Sequence, residues 1–427
     1  MNWLNSTLGK VLICANSGTW GNPPAGNGSD YPILRSTNIT AGRLSFEDIE
    51  FRSVSHEVAK KYILQSGDII VTTSSGSSHL IGKNALFINP EDGQTYLFSN
   101  FTYCLRPNKK LIIPKFLYYY LNSNTAKAEL LRIQSTTSGL RNLNTKLYLT
   151  QKISVPSISE QNRIVEILDR ADTLRKKRSE ADAKAERILP ALFYKMFGDT
   201  VTNPKGWEKT TLIASGASVR YGLGQPPKSD SDGLPLIRAT NIRKGMIYRE
   251  NMLYVNPKDV PQSRNAYLQA EEVIVVRSGA YTGDVAQITE KWVGAVAGYD
   301  LIVSPGINFT GEFIETYLLT SHIQNNYFGN LKARAGQPHL NSEQLSNTPI
   351  YKPPKNMQVS FAEKVNQIRR YREKIKKCDE QISNLFSVIL YRAFSGDLTA
   401  KWREVHMKVL ITETEEQAKY LSNGVTT

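Results

Sequence analysis

Three cysteines in 427 residues, Cys14, Cys104 and Cys378, are too few and too scattered for a disulfide framework. None forms a C-x-x-C pair, which argues against a zinc site and for a reducing cytoplasm. The five histidines, His56, His79, His322, His339 and His406, show no paired ligand spacing, so no metal is expected. No window approaches 18 uninterrupted apolar residues, which excludes a membrane-spanning helix. The opening Met1-Asn2-Trp3-Leu4-Asn5 lacks the basic stretch and apolar run of a signal peptide.

Catalytic constellations are missing too. Gly9-Lys10 and Gly82-Lys83 lack the leading glycine and the following hydroxyl of a phosphate loop. Asn22-Pro23-Pro24 opens like the Asn-Pro-Pro-aromatic motif of adenine methyltransferases, but Ala25 stands where a ring would stack on a flipped base. Gln225-Pro226-Pro227-Lys228 departs further, and both segments read as turns. The carboxylates of Pro90-Glu91-Asp92 and Gly283-Asp284 have no downstream Glu-x-Lys to complete a nuclease site. No catalytic residue is assigned, and the chain reads as a binding protein.

What the chain does carry is positive charge and a repeat. Lys and Arg number 53 against 39 Asp and Glu, a net +14, which points to a polyanionic partner and most simply to nucleic acid. Tyr31-Pro32-Ile33-Leu34-Arg35-Ser36-Thr37-Asn38-Ile39 reappears as Leu234-Pro235-Leu236-Ile237-Arg238-Ala239-Thr240-Asn241-Ile242, so Arg35 recurs 203 positions on. Leu64-Gln65 and Ile69-Ile70-Val71 return 204 positions on as Leu268-Gln269 and Val273-Ile274-Val275. Phe116, Tyr120 and Leu121 match Phe313, Tyr317 and Leu318 at 197, as Pro156 matches Pro353 and Phe197 matches Phe394. A large unit has been duplicated.

Each copy runs from short β-branched and aromatic strands with Gly, Pro, Asn and Ser turns, through a short helix, to a long one. The first long helix is expected from about Ser159, as N-cap, to Phe197, with a kink at Pro190. Its apolar seam is Ile164, Ile167, Ala171, Leu174, Ala181, Ala185, Ile188 and Leu192, interrupted by Arg178. The second, about Gln358 to Phe394, offers Phe361, Val365, Ile368, Ile375, Cys378, Ile382, Leu385 and Ile389. Both keep the 197 register without a gap. Because one inserted residue rotates every later side chain by about 100°, the helices are expected to pack on each other. Such a rod, roughly 57 Å long at about 1.5 Å per residue, would fix the separation of the two globular parts.

These residues resemble the specificity subunit of a type I restriction–modification enzyme over nearly the whole chain. The likeness rests on the two Arg-x-Thr-Asn-Ile segments and on Pro114-Lys115-Phe116-Leu117-Tyr118-Tyr119-Tyr120-Leu121. It rests also on Pro156 through Gln161-Asn162-Arg163-Ile164-Val165, and on the echo of Phe197-Gly198-Asp199 in Phe394-Ser395-Gly396-Asp397. The resemblance implies an α/β (α+β) chain of two tandem target recognition domains, each followed by a long helix, the helices forming an antiparallel coiled coil. Recognition domain 1 would span 1–157, the first helix 158–199, domain 2 200–354, the second helix 355–397 and a tail 398–427. The target would be bipartite double-stranded DNA. Two methyltransferase subunits would bind, optionally joined by two restriction–translocase subunits. Those partners would bring S-adenosylmethionine, ATP and magnesium, and this chain would bind no cofactor. Ser159-Glu160-Gln161 is replaced by Asn356-Met357-Gln358 in the second copy, so the second helix is expected to start less sharply or to meet its partner differently. The tail beyond Trp402 has no counterpart, leaving docking near the N-terminus or fraying open.

Bases are read by Arg, Asn and Gln, with Ser and Thr more permissive. The candidate DNA-reading residues of the first copy are Ser74, Ser75, Ser77, His79, Thr136, Thr137, Ser138, Arg141 and Asn142. Those of the second are Arg277, Ser278, Tyr281, Thr282, Lys332, Arg334, Gln337 and His339. All are expected on loops that occupy equivalent places but differ in content. Arg35, Asn38, Arg238 and Asn241 are assigned to structure or to a phosphate. Tyr118, Tyr119 and Tyr120 are assigned to core packing rather than base stacking. Two rival readings are a self-contained restriction or modification enzyme and a DNA-free coiled-coil scaffold. The absent motifs oppose the first, and the charge opposes the second.

Overall fold

In a computed structural model of the chain, residues 3–26, 29–137, 140–225, 227–333 and 339–422 are described. They form two compact units, Met1–Arg178 with Asp379–Thr427, and Ser179–Cys378. In unit 1 the strands include β1 (Leu4–Thr7), β2 (Leu12–Ser17), β3 (Asp30–Leu34), β4 (Glu50–Ser53), β5 (Ile69–Thr72), β6 (Ser74–Ser75), β7 (Asn84–Leu86), β8 (Leu97–Phe98), β9 (Thr102–Pro107), β10 (Gln134–Thr137), β11 (Leu140–Leu143) and β12 (Lys152–Val155). A four-stranded antiparallel sheet has the order β2-β9-β5-β7, beside β8-β3-β4, β10-β11-β6 and the ribbon β1-β12.

Unit 2 repeats this plan with β13 (Glu208–Thr211), β14 (Ser218–Tyr221), β15 (Ser229–Ile237), β16 (Leu253–Val255), β17 (Val273–Val275), β18 (Val285–Gln287), β19 (Val296–Ala297), β20 (Leu301–Ser304) and β21 (Pro349–Lys352). Its sheets include β14-β20-β17-β18, β16-β15-β19 and β13-β21. The central registers agree: Tyr103 faces Val71 in unit 1 and Leu301 faces Val275 in unit 2. The central strands β5 and β17 are buried at every position, which explains their uninterrupted β-branched runs.

A buried acid braces each central sheet, yet its partner has moved. In unit 1 Arg106 on β9 grips Asp68 at 2.7 and 2.8 Å. In unit 2 Arg220 on the neighbouring strand β14 grips Glu272 at 2.5 and 2.8 Å. A carboxylate that loses its arginine in place must be met by another, because a buried unpaired charge is costly.

The first long helix is Ile158–Glu186, continued as Ile188–Phe197, and the second is Lys355–Ser395. Ser157, not Ser159, caps the first, its Oγ accepting from the Glu160 amide at 3.3 Å. Both helices begin at equivalent positions, so the second starts no less sharply than the first. Gln161 Oε1 accepts from the Ile113 amide while its Nε2 donates to the Leu111 and Pro156 carbonyls. Gln358 does the same with Thr310, Asn308 and Pro353. The break at Arg187 answers to Pro190, which has no N–H for the Glu186 carbonyl and crowds it. Arg372 turns toward that gap, at 3.3 Å from the Ala185 oxygen and 3.4 Å from that of Glu186.

The seam agrees with the expected one at Ile164, Phe361 and Val365, which are buried, and departs from it toward the middle of each helix. In the first helix Gln161, Ile164, Leu168 and Asp172 are buried, whereas Leu174 is 65% and Ile188 51% exposed. In the second, Phe361, Val365, Phe386, Leu390 and Ala393 are buried, while Cys378 and Leu385 are exposed. Around the midpoint the seam is polar, Arg178 pairing with Asp379 at 3.0 Å, so apolar periodicity could not mark it. The contacts run antiparallel within each unit: Arg175 lies over Phe386 in unit 1, and Arg372 reaches Ala185 in unit 2.

Each unit closes its core with the end of the other copy's helix. Phe386, Leu390 and Ala393 pack with Leu8, Phe116 and Ile164 in unit 1. Phe193 and Phe197 pack with Phe313 and Phe361 in unit 2. The tail docks rather than frays. Glu160, 2% exposed, accepts from Trp3 Nε1 (3.0 Å), Thr399 Oγ1 (2.6 Å) and Arg403 (2.7 and 2.9 Å). Glu413 of the tail helix Met407–Ser422 accepts from the Ser159 amide and hydroxyl.

Candidate nucleic-acid interface

In unit 1 the two candidate clusters are strands of one sheet rather than loops. Ser74 and Ser75 on β6 face Asn142 and Arg141 on β11. Strand β11 pairs back on β10, where Thr136 faces Arg141 and Thr137 faces Leu140. Beyond β6, Ser77 Oγ meets His79 Nδ1 at 2.8 Å, and His79 is exposed. Ser138 lies outside the described residues. Behind this polar edge the Leu143 amide donates to the Thr73 carbonyl at 2.8 Å, and Leu143 is buried.

Unit 2 builds the same junction. Ser278 forms a β-bridge with His339, and the Leu340 amide donates to the Arg277 carbonyl at 2.9 Å. These pairs sit 204 and 197 positions from Ser74–Asn142 and Thr73–Leu143, so both offsets of the repeat meet here. The frame is shared and the contents are not. Thr73 is replaced by Arg277, and Asn142 by His339. The Arg277 guanidinium lies over the rings of Tyr221 (4.8 Å) and Tyr299 (4.4 Å), with Nη2 3.3 Å from His339 Nε2. Burial and the Arg277 charge hold His339 below its ordinary pKa. Hydrogen bonding from Ser342 lowers Tyr221, which the Arg277 charge reinforces. Beneath them burial pushes Asp300 up to about 6, although the Arg277 amide donates to its Oδ1 at 3.0 Å.

The remaining candidates divide. Tyr281 is 40% exposed and packs its ring under Arg243. Thr282 is buried, and its hydroxyl is spent on the Gly279 carbonyl (2.7 Å), which holds the turn. Lys332 belongs to the helix Phe328–Ala333, away from the bridge in sequence. Arg334 and Gln337 lie outside the described residues.

The Arg-x-Thr-Asn-Ile segments have a structural task. Asn38, 3% exposed, accepts from the Arg35 amide (2.9 Å) and donates to the Glu47 and Asp48 carbonyls. Arg35 Nη2 reaches the Asp48 carbonyl at 2.9 Å. Asn241 repeats this with the Arg238 amide and the Tyr248 and Glu250 carbonyls, and Arg238 binds the Asn251 carbonyl at 2.8 Å. Asp48 and Asn251 both adopt positive φ, so each arginine clamps a left-handed turn. The three tyrosines are likewise spoken for: Tyr118, Tyr119 and Tyr120 donate to Gly42 O, Asp169 and Lys152 O.

Sequence reasoning missed Tyr221, Tyr299 and Asp300. In the first unit Phe101 holds the place of Tyr299, and both rings are about half exposed (52% and 48%).

Two copies of one α/β frame thus each present a different polar edge at the same strand junction. The chain belongs to the type I restriction–modification DNA specificity family, whose domain model matches residues 2–182 and 228–383. It is the non-catalytic DNA-recognition component of such a system, with two recognition domains. It is 24% identical over 399 residues to the StySPI specificity subunit of Salmonella potsdam, covering 88% of this chain and 84% of that one. The EcoKI specificity subunit of Escherichia coli K12 is 26% identical over 195 residues, 45% of this chain and 42% of the relative. Among solved structures, a chain from a study of type I R-M complex assembly and conformational transition superposes with a TM-score of 0.56 at 17% identity. That match covers 93% of this chain and 98% of the other. The S subunit from M. genitalium gives 0.54 at 13% identity over 92% and 96%. No helix among the described residues is long and apolar enough to cross a membrane.

Proposed function

We propose that each unit reads one short half-site of a bipartite duplex target, with an unread spacer between them. One observation carries this: the junction of Ser74 with Asn142 and that of Ser278 with His339 are built alike and filled differently. Shared frames with divergent polar edges suit two readers of different base sequences.

Two methyltransferase subunits are the partners, supplying S-adenosylmethionine and the adenine chemistry in the cytoplasm. Two restriction–translocase subunits, using ATP and magnesium, complete the restricting form, and this chain binds none of those cofactors. The exposed apolar residues Leu174 and Ile188 on the first long helix, and Tyr371 and Leu385 on the second, support this. They recur at the 197 spacing, as expected of a surface that meets the same partner twice.

Base-resolved methylation mapping tests the reading, in cells making the chain with its methyltransferase against cells lacking the chain. A bipartite methyladenine motif that depends on the chain is the expected result. An active methyltransferase that yields no such motif would overturn it.

A further inference from the structure

Several half-buried arginines are committed. Arg106, Arg220, Arg369 and Arg403 each grip a buried carboxylate. Arg277 does not. Among the described residues its guanidinium makes no ion pair, and its one side-chain hydrogen-bond partner is His339. Its Nε is shielded from solvent without a partner. The plane is nonetheless fixed by the two tyrosine rings, the imidazole and the strand junction beneath it. A guanidinium is a rigid fork of five donors with no acceptor capacity, so the N–H groups left on Nη1 and Nη2 call for an acceptor pair.

Such a fork fits two ligands on DNA, a phosphate or the O6/N7 edge of guanine. The comparison between units separates them. A phosphate grip is indifferent to sequence and belongs to the frame that both units share. The frame of unit 1 places Thr73, Phe101 and Ser17 where unit 2 has Arg277, Tyr299 and Tyr221. The arginine and one of its rings are therefore specific to unit 2, as base reading requires. Holding the fork in advance also lowers the ordering cost of binding, which suits a contact that must discriminate.

Resting on the proposed function, we infer that Arg277 is a specificity-determining residue that reads a guanine in the half-site of unit 2. Tyr221, Tyr299 and His339 act as its positioning residues. Unit 1 reads its own half-site without an equivalent contact.

The test is selection from a randomised duplex DNA library by the full chain assembled with its methyltransferase. Wild type, Arg277→Ala, Arg277→Lys and Tyr299→Leu are compared. The wild type is expected to enrich a bipartite motif with an invariant guanine in one half-site. Arg277→Ala should make that one position degenerate, losing about 5- to 150-fold discrimination, and leave the other half-site intact. Arg277→Lys keeps the charge and should retain overall binding while relaxing the same position. Tyr299→Leu should weaken the same preference. Replacing that guanine by 7-deazaguanine should weaken wild-type binding and leave Arg277→Ala indifferent. Uniform loss across all sequences would make Arg277 a phosphate contact and overturn the inference. An unchanged motif in both Arg277 variants would do so too. If the wild type enriches no bipartite motif, the proposed function fails with it. A bipartite motif insensitive to Arg277 sinks this inference alone.

Discussion

Gln161 and Gln417 donate their side-chain amides to the same two carbonyls, those of Leu111 and Pro156, at 2.8–3.1 Å. Each carbonyl has two lone pairs, so both amides are accommodated. Gln161 has its counterpart in Gln358, whereas Gln417 comes from the tail and is peculiar to unit 1. The tail is therefore a part of the unit 1 fold, locked to the start of the first long helix.

The lock centres on Glu160. Its replacement by Ala leaves Arg403 half-buried without its carboxylate, and breaking such a pair costs about 3–5 kcal/mol. Denaturant titration of Glu160→Ala should show unit 1 unfolding early, with unit 2 unmoved. Met357→Ala, at the equivalent place in unit 2, should cost far less.

Asn38 and Asn241 should behave as folding residues. Each satisfies one backbone amide and two carbonyls. Substitution by Ala strands those groups, at about 1–3 kcal/mol for a buried unsatisfied polar group. Unfolding midpoints should fall for both variants. The methylated sequence motif should stay the same, and a changed motif would return these residues to the reading surface.

Asp300 gives unit 2 a pH dependence of definite sign. Its pKa of about 6 in the fold lies above the ordinary value near 4 for an unfolded aspartate. Between those values the native state holds a proton that the unfolded state has released. Stability therefore falls as pH rises through this window, by about 3 kcal/mol in all. Asp300→Asn should remove that slope and unfold later than wild type above pH 6. A wild-type and variant difference that is flat from pH 4 to 7 would refute the assignment.

Leu168 and Leu174 stand on different faces of one helix, 0% and 65% exposed. Leu168→Ala should cost about 2–5 kcal/mol through the cavity it leaves. Leu174→Ala should change stability by less than about 0.5 kcal/mol. It should instead weaken capture of the methyltransferase subunit, measured by titration of the purified proteins.

Duplication, strand content and the two long helices were legible because a repeat compares the sequence with itself. The junction was legible only as a repeated place in the sequence: Ser74 meets Asn142 in one unit as Ser278 meets His339 in the other. Its secondary structure was not, because Ser, Thr and Asn runs carry turn chemistry wherever they are paired. The helix seam was misplaced toward its middle for a related reason. Periodicity finds apolar stripes, and here the middle of the helix pair is held by charged side chains, Arg175 with Asp172 and Arg178 with Asp379, while apolar Leu174 and Leu385 face outward. The frame around Arg277 lay beyond sequence reading, since Tyr221, Tyr299 and His339 are brought together only by strand order.

The core of unit 1 needs Phe386, Leu390 and Ala393, which follow residues 179–378 in synthesis. At about 5–20 residues per second, that interval lasts roughly 10–40 seconds. The first recognition domain to leave the ribosome is thus the last to be completed, and it waits with an open apolar flank while unit 2 is being made. A nascent chain stalled in this interval would be expected to depend on chaperones at its N-terminal half.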